Sequence, residues 1–491
     1  MSTPASSLIG KVWNYAHVLR DAGVGYGDYV EQITYLLFLK LDYETASVGR
    51  PSLIPPEYNW ASLVRLDGDA LQVHYQHILA ELGRLKEAQQ ATILQTIFNK
   101  AQNKITQPAL LRRLVGLIDS EDWSGLDIDI KGEIYEGLLQ KNAEDVKGGA
   151  GQYFTPRPLI RAMVQALRLE PGQTVFDPAC GTGGFLLAAY EYLSGLPLDR
   201  DQKIFLREHT LFGVDIVDSV VRLAAMNMYL HGIGGLHSPI RAADSLAADP
   251  GTRYDVVLAN PPFGKKSAIE ASTSTENGKA SREKVVYERD DFIATTSNKQ
   301  LNFLQHIKTV LKIGGKAAVV LPDNVLFEGG AGETIRRRLL HDCEVHTLLR
   351  LPTGIFYAQG VKANVLFFEK RPASETPWTR ELWVYDLRTN LNFTLKTNPL
   401  SDKDLSDFLA CYNPEARHGR QETERFRRFS YDELVARDKA NLDIFWLKDK
   451  GLEDSLNLPP PEVLAREIIA DLEAALEGFR TVEEELGEAR G

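Results

Sequence analysis

The sequence is poor in cysteine and has no long apolar run. Its 491 residues contain 3 cysteines at widely separated positions, which argues against a disulfide framework or a Cys-based metal site and is typical of a reducing cytoplasm. No apolar stretch reaches the ~18 residues that a transmembrane helix requires, and residues 1–7 lack the regions of a signal peptide. We therefore expect a cytoplasmic protein that binds neither a membrane nor a metal ion. Cys180 and Cys343 are interpreted as small core residues rather than nucleophiles.

The sequence also lacks an excess of positive charge. It has 56 Lys and Arg residues against 67 Asp and Glu residues, a formal net charge of −11. A protein that binds DNA by itself is usually basic. If this chain acts on nucleic acid, a local basic patch or a partner must supply much of the affinity for phosphate. The length exceeds what one hydrophobic core accommodates, so we expect two or three domains.

One short stretch combines features of a binding site for a planar amino group. Residues 254–259 form an apolar run that predicts a buried strand, and Asn260, Pro261, Pro262 and Phe263 follow it. The two prolines fix the backbone and remove two donors, which leaves an edge rich in acceptors beside an aromatic ring. Such an edge accepts both hydrogens of an NH2 group while the ring stacks on the plane that bears it. A plain Pro-rich turn with Phe263 in the core remains the alternative.

Polar side chains end three further predicted strands. Asp177 ends a strand and opens a glycine-rich turn, Asp215 ends the next strand, and Asp244 follows a third, before the strand that leads into Asn260. The carboxyl ends of strands are where open α/β sheets bind ligands. The spacing between Asp177 and Asp215 exceeds the ~20 positions of the dinucleotide fingerprint. We interpret the polar residues 195–209 as a loop insertion that accounts for the excess.

The region before this sheet is predicted to be helical. Apolar residues recur at helical spacing across residues 1–145, with a clear helix at 129–142 and a glycine-rich joint at 144–151. Thr155 is placed to cap the next helix, and Pro156 to occupy its first turn.

The region after Phe263 contains a long polar segment, residues 264–299, with Lys265, Lys266, Arg282, Lys284 and Arg289. It is too long for an ordinary connection. It is either a surface loop or a flap that closes on DNA. The short loop at residues 358–362 either flanks the target base or is a plain hairpin. The sheet pattern is expected to end by about Lys370.

The C-terminal residues carry two further patterns. A cluster of arginines at positions 417–428 is interpreted as a solvated face, with phosphate contact as the alternative. After Pro459, Pro460 and Pro461, apolar residues at spacings of three and four predict one heptad helix over residues 459–487. We expect this helix to pair with a partner helix, although packing on its own domain is the alternative.

The ordered motifs resemble those of a known family. GQYFTPR (residues 151–157), DPACGTGGF (residues 177–185) and NPPF (residues 260–263) are similar to the adenosylmethionine-dependent amino-methyltransferases. More specifically, they resemble the modification (M) subunit of Type I restriction–modification systems, an N6-adenine DNA methyltransferase of the γ motif order, over nearly the whole chain. The resemblance implies an α/β fold: a Rossmann-like methyltransferase sheet with an all-helical N-terminal domain (residues 1–147), a catalytic domain (148–400) and a C-terminal helical region (401–491).

The resemblance also implies the site residues and the partners. The target base would be held by Asn260, Pro261, Pro262 and Phe263. The cofactor, S-adenosylmethionine, would be bound by Tyr153, Phe154, Thr155, Asp177, Gly181, Thr182, Gly183, Asp215, Ile216, Asp244 and Ser245. Tyr153, Phe154 and Thr155 are assigned to its methionine end, Asp215 to its ribose and Asp244 to its adenine amino group.

The implied partners are double-stranded DNA with a flipped adenine and a specificity (S) subunit bound by two M subunits. A restriction (R) subunit is a further candidate partner, and the location is the bacterial or archaeal cytoplasm. A protein-glutamine methyltransferase is the alternative function, because its substrate is also a planar NH2 group. A catalytically silent assembly subunit is the other alternative.

Overall fold

The computed structural model describes residues 10–15, 18–19, 23–24, 28–47, 52–84, 86–87, 90–121, 155–263, 287–356, 361–395 and 397–448. Its N-terminal part is built from helices α1 (Tyr29–Ser47), α2 (Trp60–Val64), α3 (Gly68–Leu82), α4 (Ile93–Phe98) and α5 (Pro108–Asp119), a 3-10 turn at Pro56–Tyr58 and a hairpin of Lys86–Glu87 with Gln90–Ala91. Local signals set the helix starts: Thr92 accepts a hydrogen bond from the Gln95 amide at 3.1 Å, and Pro108 opens α5 where its missing N–H costs nothing. In the described part of the chain, no helix is long and apolar enough to cross a membrane.

The part of the chain that follows is organised around one mixed sheet, which has nine strands within the described residues. The strands are β1 (Val175–Asp177), β2 (Leu211–Asp215), β3 (Ile240–Ala242), β4 (Tyr254–Ala259), β5 (Leu311–Pro322), β6 (Cys343–Arg350), β7 (Ala363–Lys370), β8 (Glu381–Asp386) and β9 (Phe426–Ser430).

The strand order is β3-β2-β1-β4-β5-β7-β6-β8-β9. Strands β1 to β5 are mutually parallel, whereas β7 runs antiparallel to both β5 and β6. The chain order reverses between β1 and β4, so the carboxyl ends of these two strands flank a topological switch point. The predicted fold class is confirmed.

Helices pack against the strands of the sheet. They are α6 (Arg157–Leu167), α7 (Gly184–Ser194), α8 (Arg200–Glu208), α9 (Asp218–Leu230), α10 (Lys299–Val310), α11 (Asn324–Phe327), α12 (Ala331–Asp342), α13 (Asp402–Tyr412) and α14 (Tyr431–Ala436), with 3-10 turns at Arg417–Gly419 and Asp438–Ala440. Cys180 and Cys343 are both buried, as predicted.

Three predictions about these elements are wrong. The sheet does not end by Lys370, because β8 pairs with β6 and β9 pairs with β8. Residues 401–491 therefore include a strand as well as helices. The polar residues 195–209 are not a loop, because Asp199 and Gln202 form a reciprocal capping box that starts α8.

The arginines at positions 417–428 do not form one solvated face. Arg420 is 9% exposed and donates to the Tyr412 carbonyl at 2.7 Å and the Thr347 hydroxyl at 3.0 Å. Arg417 pairs with Glu369, another residue of the sheet. These guanidinium groups bind the C-terminal segment to the sheet.

Several predictions fall outside the described residues. They include the helix at 129–142, the joint at 144–151, Tyr153, Phe154, most of the polar segment (264–286), residues 358–360 and the terminal helix at 459–487. The predicted domain boundaries also stay predictions. Among the described residues, Arg388–Leu391 and residues 445–448 form a second small unit, within which the side-chain amide of Asn390 donates to the Lys448 carbonyl at 3.0 Å.

Candidate active site

The loops that follow β1, β2 and β3 are hydrogen-bonded to one another at the carboxyl edge of the sheet. The Gly181 amide donates to Asp215 Oδ2 at 3.1 Å, and the Ala243 amide donates to the Asp215 carbonyl at 3.0 Å. Ser245 Oγ donates to the Pro178 carbonyl at 2.6 Å. The structure thus brings the predicted residues at three strand ends into one hydrogen-bonded cluster.

The glycine-rich turn between β1 and α7 needs glycine at two positions. Gly181 has φ +53° and Gly183 has φ +87°, a region that side chains with a Cβ rarely adopt. A Cβ on Gly183 would lie 2.8 Å from the Met228 methyl group, whereas a Cβ on Gly181 would meet no atom within 4 Å. The turn therefore packs on α9 at Gly183 and leaves open space for a ligand beside Gly181.

Asp177 is a buried acid with an unsatisfied oxygen. It is 1% exposed, its Oδ1 accepts the Ala179 amide at 3.0 Å, and its Oδ2 has no hydrogen-bond partner among the described residues. Burial, with a smaller contribution from the Asp215 charge, raises the pKa of Asp177 to about 8. A carboxyl group in this state suits a ligand that brings a donor or a positive charge.

Asp215 is oriented by backbone amides on both sides. Its Oδ1 accepts the Val217 amide at 3.0 Å, and its Oδ2 accepts the Gly181 amide. Burial raises the pKa of Asp215 although these hydrogen bonds lower it. The next residue, Ile216, is 64% exposed, so its apolar side chain is open to solvent. An acid that can accept from hydroxyls beside an open apolar side chain fits a nucleoside.

Asp244 is bound by residues from two segments. Its Oδ1 accepts the Leu246 amide and its Oδ2 accepts the Tyr287 hydroxyl, each at 2.9 Å. Burial and the hydrogen bond to Asp244 raise the pKa of Tyr287 to about 12. Arg289 binds the same loop: its guanidinium donates to the Ser245 carbonyl at 3.3 Å and pairs with Asp291 at 2.6 Å.

The proposed role of Arg289 on a DNA flap is therefore wrong for this residue, since its side chain is 4% exposed and neutralised by Asp291. Lys265, Lys266, Arg282 and Lys284 lie outside the described residues.

Asn260 is held by a hydrogen bond that was not predicted. Its Nδ2 donates to Thr155 Oγ1 at 2.8 Å, and both side chains are buried. Because Nδ2 donates to Thr155, the orientation of the side-chain amide is fixed, and Oδ1 is its acceptor atom. Thr155 does not cap the following helix: Pro156 occupies the cap position and no side-chain cap bond is present.

Neighbouring residues fix the rest of the Asn-Pro-Pro-Phe edge. Gln300 Nε2 donates to the Pro262 carbonyl at 3.0 Å. The ring of Phe263 meets the ring of Phe356 edge to face, with centroids 5.9 Å apart and planes at 79°. Phe263 is half-buried, so it is not an ordinary core residue.

Sequence reasoning missed four residues that support the site. Tyr287, Gln300 and Phe356 are distant in sequence from the motifs, and no local pattern identifies them. Arg157 ends the GQYFTPR motif and had no assigned role, yet it donates to the Gly184 carbonyl at 3.1 Å. Burial lowers the pKa of Arg157 to about 10. In the described part of the chain, no group of acidic, histidine or cysteine side chains has the geometry of a metal site.

Comparisons with known proteins identify the family. A model described as N-6 DNA Methylase matches residues 126–446, and one described as HsdM N-terminal domain matches residues 8–118. The chain is 39% identical to the Type I restriction enzyme StySPI methylase subunit of Salmonella potsdam, and 39% identical to the EcoKI methylase subunit of Escherichia coli strain K12. Each alignment covers 98% of this chain and 96% of the relative.

Solved structures agree with this assignment. The crystal structure of the EcoKI M protein is similar at 35% identity with a TM-score of 0.54, over 98% of this chain and 96% of that one. A chain from a structural study of the assembly of the type I R-M system is similar at 26% identity with a TM-score of 0.71, over 100% of both chains. The chain belongs to the N-6 DNA methylase family, and within it to the methylase (modification) subunits of Type I restriction enzymes.

Proposed function

We propose that the chain transfers a methyl group from S-adenosylmethionine to the N6 amino group of adenine in a specific DNA sequence, as the modification subunit of a Type I complex. The observation that carries the proposal is the Asn260 amide. It lies at the carboxyl end of β4, oriented by Thr155 at 2.8 Å. Family membership assigns the enzyme class, and this geometry supports the assignment of the target amine to Asn260.

Asn260 and Pro261 act on the amine. The lone pair of an aromatic amine is delocalised into the ring, so the nitrogen is a poor nucleophile. Acceptance of its two hydrogens by Asn260 Oδ1 and the Pro261 carbonyl draws the nitrogen toward tetrahedral geometry and stabilises the positive charge that develops there. The Gln300 bond to the Pro262 carbonyl holds this edge in place before the substrate arrives. The product ammonium loses its proton to water, so no strong base is required.

Phe263 holds the target base outside the duplex. An enzyme that acts on a base must take it out of the stack, which costs a few kcal/mol of unstacking. The half-buried ring of Phe263 offers a stacking surface, and the edge-to-face contact with Phe356 limits its rotation. Pro262 fixes its own φ angle and has no N–H, which limits the backbone conformations available between the acceptors and the ring.

The residues at the other strand ends fit the cofactor. Bound S-adenosylmethionine supplies the methyl group. Asp177 would accept from its amino acid end, Gly181 to Gly183 would line it, Asp215 would accept from its ribose, and Asp244 from its adenine amino group. Ile216, which is 64% exposed, would cover the adenine ring, and Ser245 holds the loop through Pro178. Tyr153 and Phe154 are proposed at the methionine end.

The partner proposals follow from charge and family. A chain with a net charge of −11 has little intrinsic affinity for DNA phosphates. We therefore propose that a specificity subunit reads the DNA sequence and that two copies of this chain bind it. We further propose that a restriction subunit joins the complex and that the complex works in the cytoplasm.

Two variants test the assignment of one group of residues to the cofactor and of the other to the target amine. Asp215→Ala is expected to weaken cofactor binding, whereas Asn260→Ala is expected to leave it nearly intact and to abolish methyl transfer. Calorimetric titration with S-adenosylmethionine and a methylation assay with the specificity subunit measure the two effects. Equal loss of cofactor affinity in both variants would contradict the division of roles.

A further inference from the structure

Helix α9 contacts the N-terminal helical core with one stripe and the glycine-rich turn with another. Ala225, Met226, Tyr229 and Leu230 belong to the same apolar cluster as α1, α3, α4 and α5. Asn227 and Met228 point to the turn, where Met228 packs at Gly183. Residues at positions i, i+3 and i+4 share a helix face, so these two sets lie on different sides of α9.

Polar contacts on the first stripe join α9 to the N-terminal helices. Arg222, whose side chain is 10% exposed, pairs with Glu31 at 3.0 Å and donates to the Asn99 carbonyl at 3.1 Å. Glu31 also accepts the Tyr35 hydroxyl at 2.6 Å. Tyr229 donates to Asp42 of α1. Because these groups are removed from water, loss of one partner leaves the other poorly satisfied.

The second stripe fixes a peptide group of the turn. Asn227 is 0% exposed and its Nδ2 donates to the Thr182 carbonyl at 3.0 Å. The carbonyl and the N–H of a trans peptide point in opposite directions. Holding the Thr182 carbonyl on α9 therefore directs the Gly183 N–H toward the Cys180 carbonyl, to which it donates at 2.8 Å. Asn227 Oδ1 is buried without a hydrogen-bond partner among the described residues, so the side chain makes this one donation at the cost of an unsatisfied acceptor.

We infer that α9 couples the N-terminal helical core to the cofactor site, with Asn227 as the positioning residue that holds the Thr182–Gly183 peptide. The inference rests on the proposed cofactor site and goes beyond it. The N-terminal helices contribute to cofactor affinity without contacting the cofactor, because the position of α9 depends on their core and on the pair of Arg222 with Glu31.

The test uses the full-length chain and two measurements, the dissociation constant for S-adenosylmethionine by calorimetry and the melting temperature without cofactor. Asn227→Asp replaces the donor by an oxygen that faces the Thr182 carbonyl, and is expected to weaken cofactor binding by roughly tenfold or more. Glu31→Gln, which removes the charge that Arg222 pairs with, is expected to weaken binding severalfold.

Lys100→Gln is the matched control. Lys100 also pairs with a residue of α9, Asp218, at 2.8 Å, but the two side chains are 73% and 40% exposed. An exposed pair contributes little, so cofactor affinity is expected to stay within about twofold of the original.

The outcomes are distinct. If Asn227→Asp and Glu31→Gln lower the melting temperature but bind cofactor with unchanged affinity, the two residues have a structural role alone and the inference is overturned. If Asn227→Asp does not fold, Glu31→Gln decides by the same criterion. Asp215→Ala serves as the reference: if it binds cofactor normally, the proposed site itself is wrong, and the inference falls with it.

Discussion

The chemistry at residue scale depends on side chains that are oriented before any substrate binds. The Thr155 hydroxyl holds the Asn260 amide, Gln300 holds the Pro262 carbonyl, and backbone amides hold Asp215. Preorganised acceptors stabilise developing charge without reorganisation during the reaction. We therefore propose that Thr155 and Gln300 position the acceptors rather than react.

Variants of Phe263 test its role in stacking on the target base. Phe263→Ala is expected to reduce methylation of cognate DNA in the presence of the specificity subunit, because stacking on a base contributes roughly 1–3 kcal/mol, about 5- to 150-fold. Phe263→Tyr and Phe263→Trp retain an aromatic face and are expected to keep part of the activity. An alanine variant with full activity would show that the ring is a bystander.

Asp177 gives the protein a pH-dependent stability in the absence of cofactor. Its pKa is raised by burial to about 8, above the 3.8 of an unperturbed aspartic acid. The folded state therefore binds a proton that the unfolded state has lost, and this contribution to stability disappears as pH rises toward about 8. The linkage slope is at most about 1.4 kcal/mol per pH unit.

Asp177→Asn removes this dependence. The free energy of unfolding of the original chain, relative to that of Asp177→Asn, is expected to fall between pH 5 and pH 8 and to level off above. Urea unfolding at a series of pH values measures it. A difference that is constant across this range would mean that Asp177 is ionised in the folded protein.

At the scale of elements, the sequence predicted the strands that lead into the site residues and missed the last two strands of the sheet, β8 and β9. The predicted strand at 254–259 matches β4 (Tyr254–Ala259), because an apolar run stops at Asn260 and a double proline. Strand β6 ends at Arg350, and the chain turns at Gly354, which has φ +81° and where a Cβ would lie 2.1 Å from the Phe393 carbonyl oxygen.

The other elements that were not predicted, α8, β8 and β9, also have physical explanations. Helix α8 was taken for a loop because its composition is polar, although the capping box of Asp199 and Gln202 was visible in the sequence. Strands β8 and β9 are held by long-range pairing, and Arg420 joins Tyr412 to β6; local patterns reveal neither. The motif residues of the site were predictable, whereas the residues that orient them come from distant segments.

Substitution of Arg289 tests whether its guanidinium stabilises the fold or contacts a DNA phosphate. Arg289→Ala is expected to lower the free energy of unfolding by about 1–3 kcal/mol, because the Ser245 and Leu246 carbonyls and Asp291 lose their donor. Arg207→Ala, at an exposed arginine of α8, removes the same charge and is expected to change stability by less than about 0.5 kcal/mol.

DNA binding by the assembled complex supplies the second measurement. The salt dependence of affinity is expected to be the same for the original chain and Arg289→Ala. A slope reduced by about 0.9 would correspond to one lost phosphate contact and would contradict the structural role.

At the scale of the whole molecule, the acidic charge and the terminal heptad pattern indicate dependence on a partner. The described sheet is complete at Ser430, well before residue 459. Truncation before Pro459 is therefore expected to leave folding and cofactor affinity intact and to weaken assembly with the specificity subunit. Size-exclusion chromatography of the full-length and truncated chains, each with and without the partner, measures assembly. Unchanged assembly of the truncated chain would show that the heptad helix packs elsewhere.

The central claim is that this chain methylates the N6 amino group of adenine through Asn260. The most direct measurement is transfer from radiolabelled S-adenosylmethionine in the presence of the specificity subunit and DNA, followed by nucleoside analysis, for the original chain and for Asn260→Ala. Labelled N6-methyladenine is expected with the original chain, and none with Asn260→Ala although that variant still binds the cofactor. Label in protein glutamine instead of DNA, or an undiminished rate with Asn260→Ala, would contradict it.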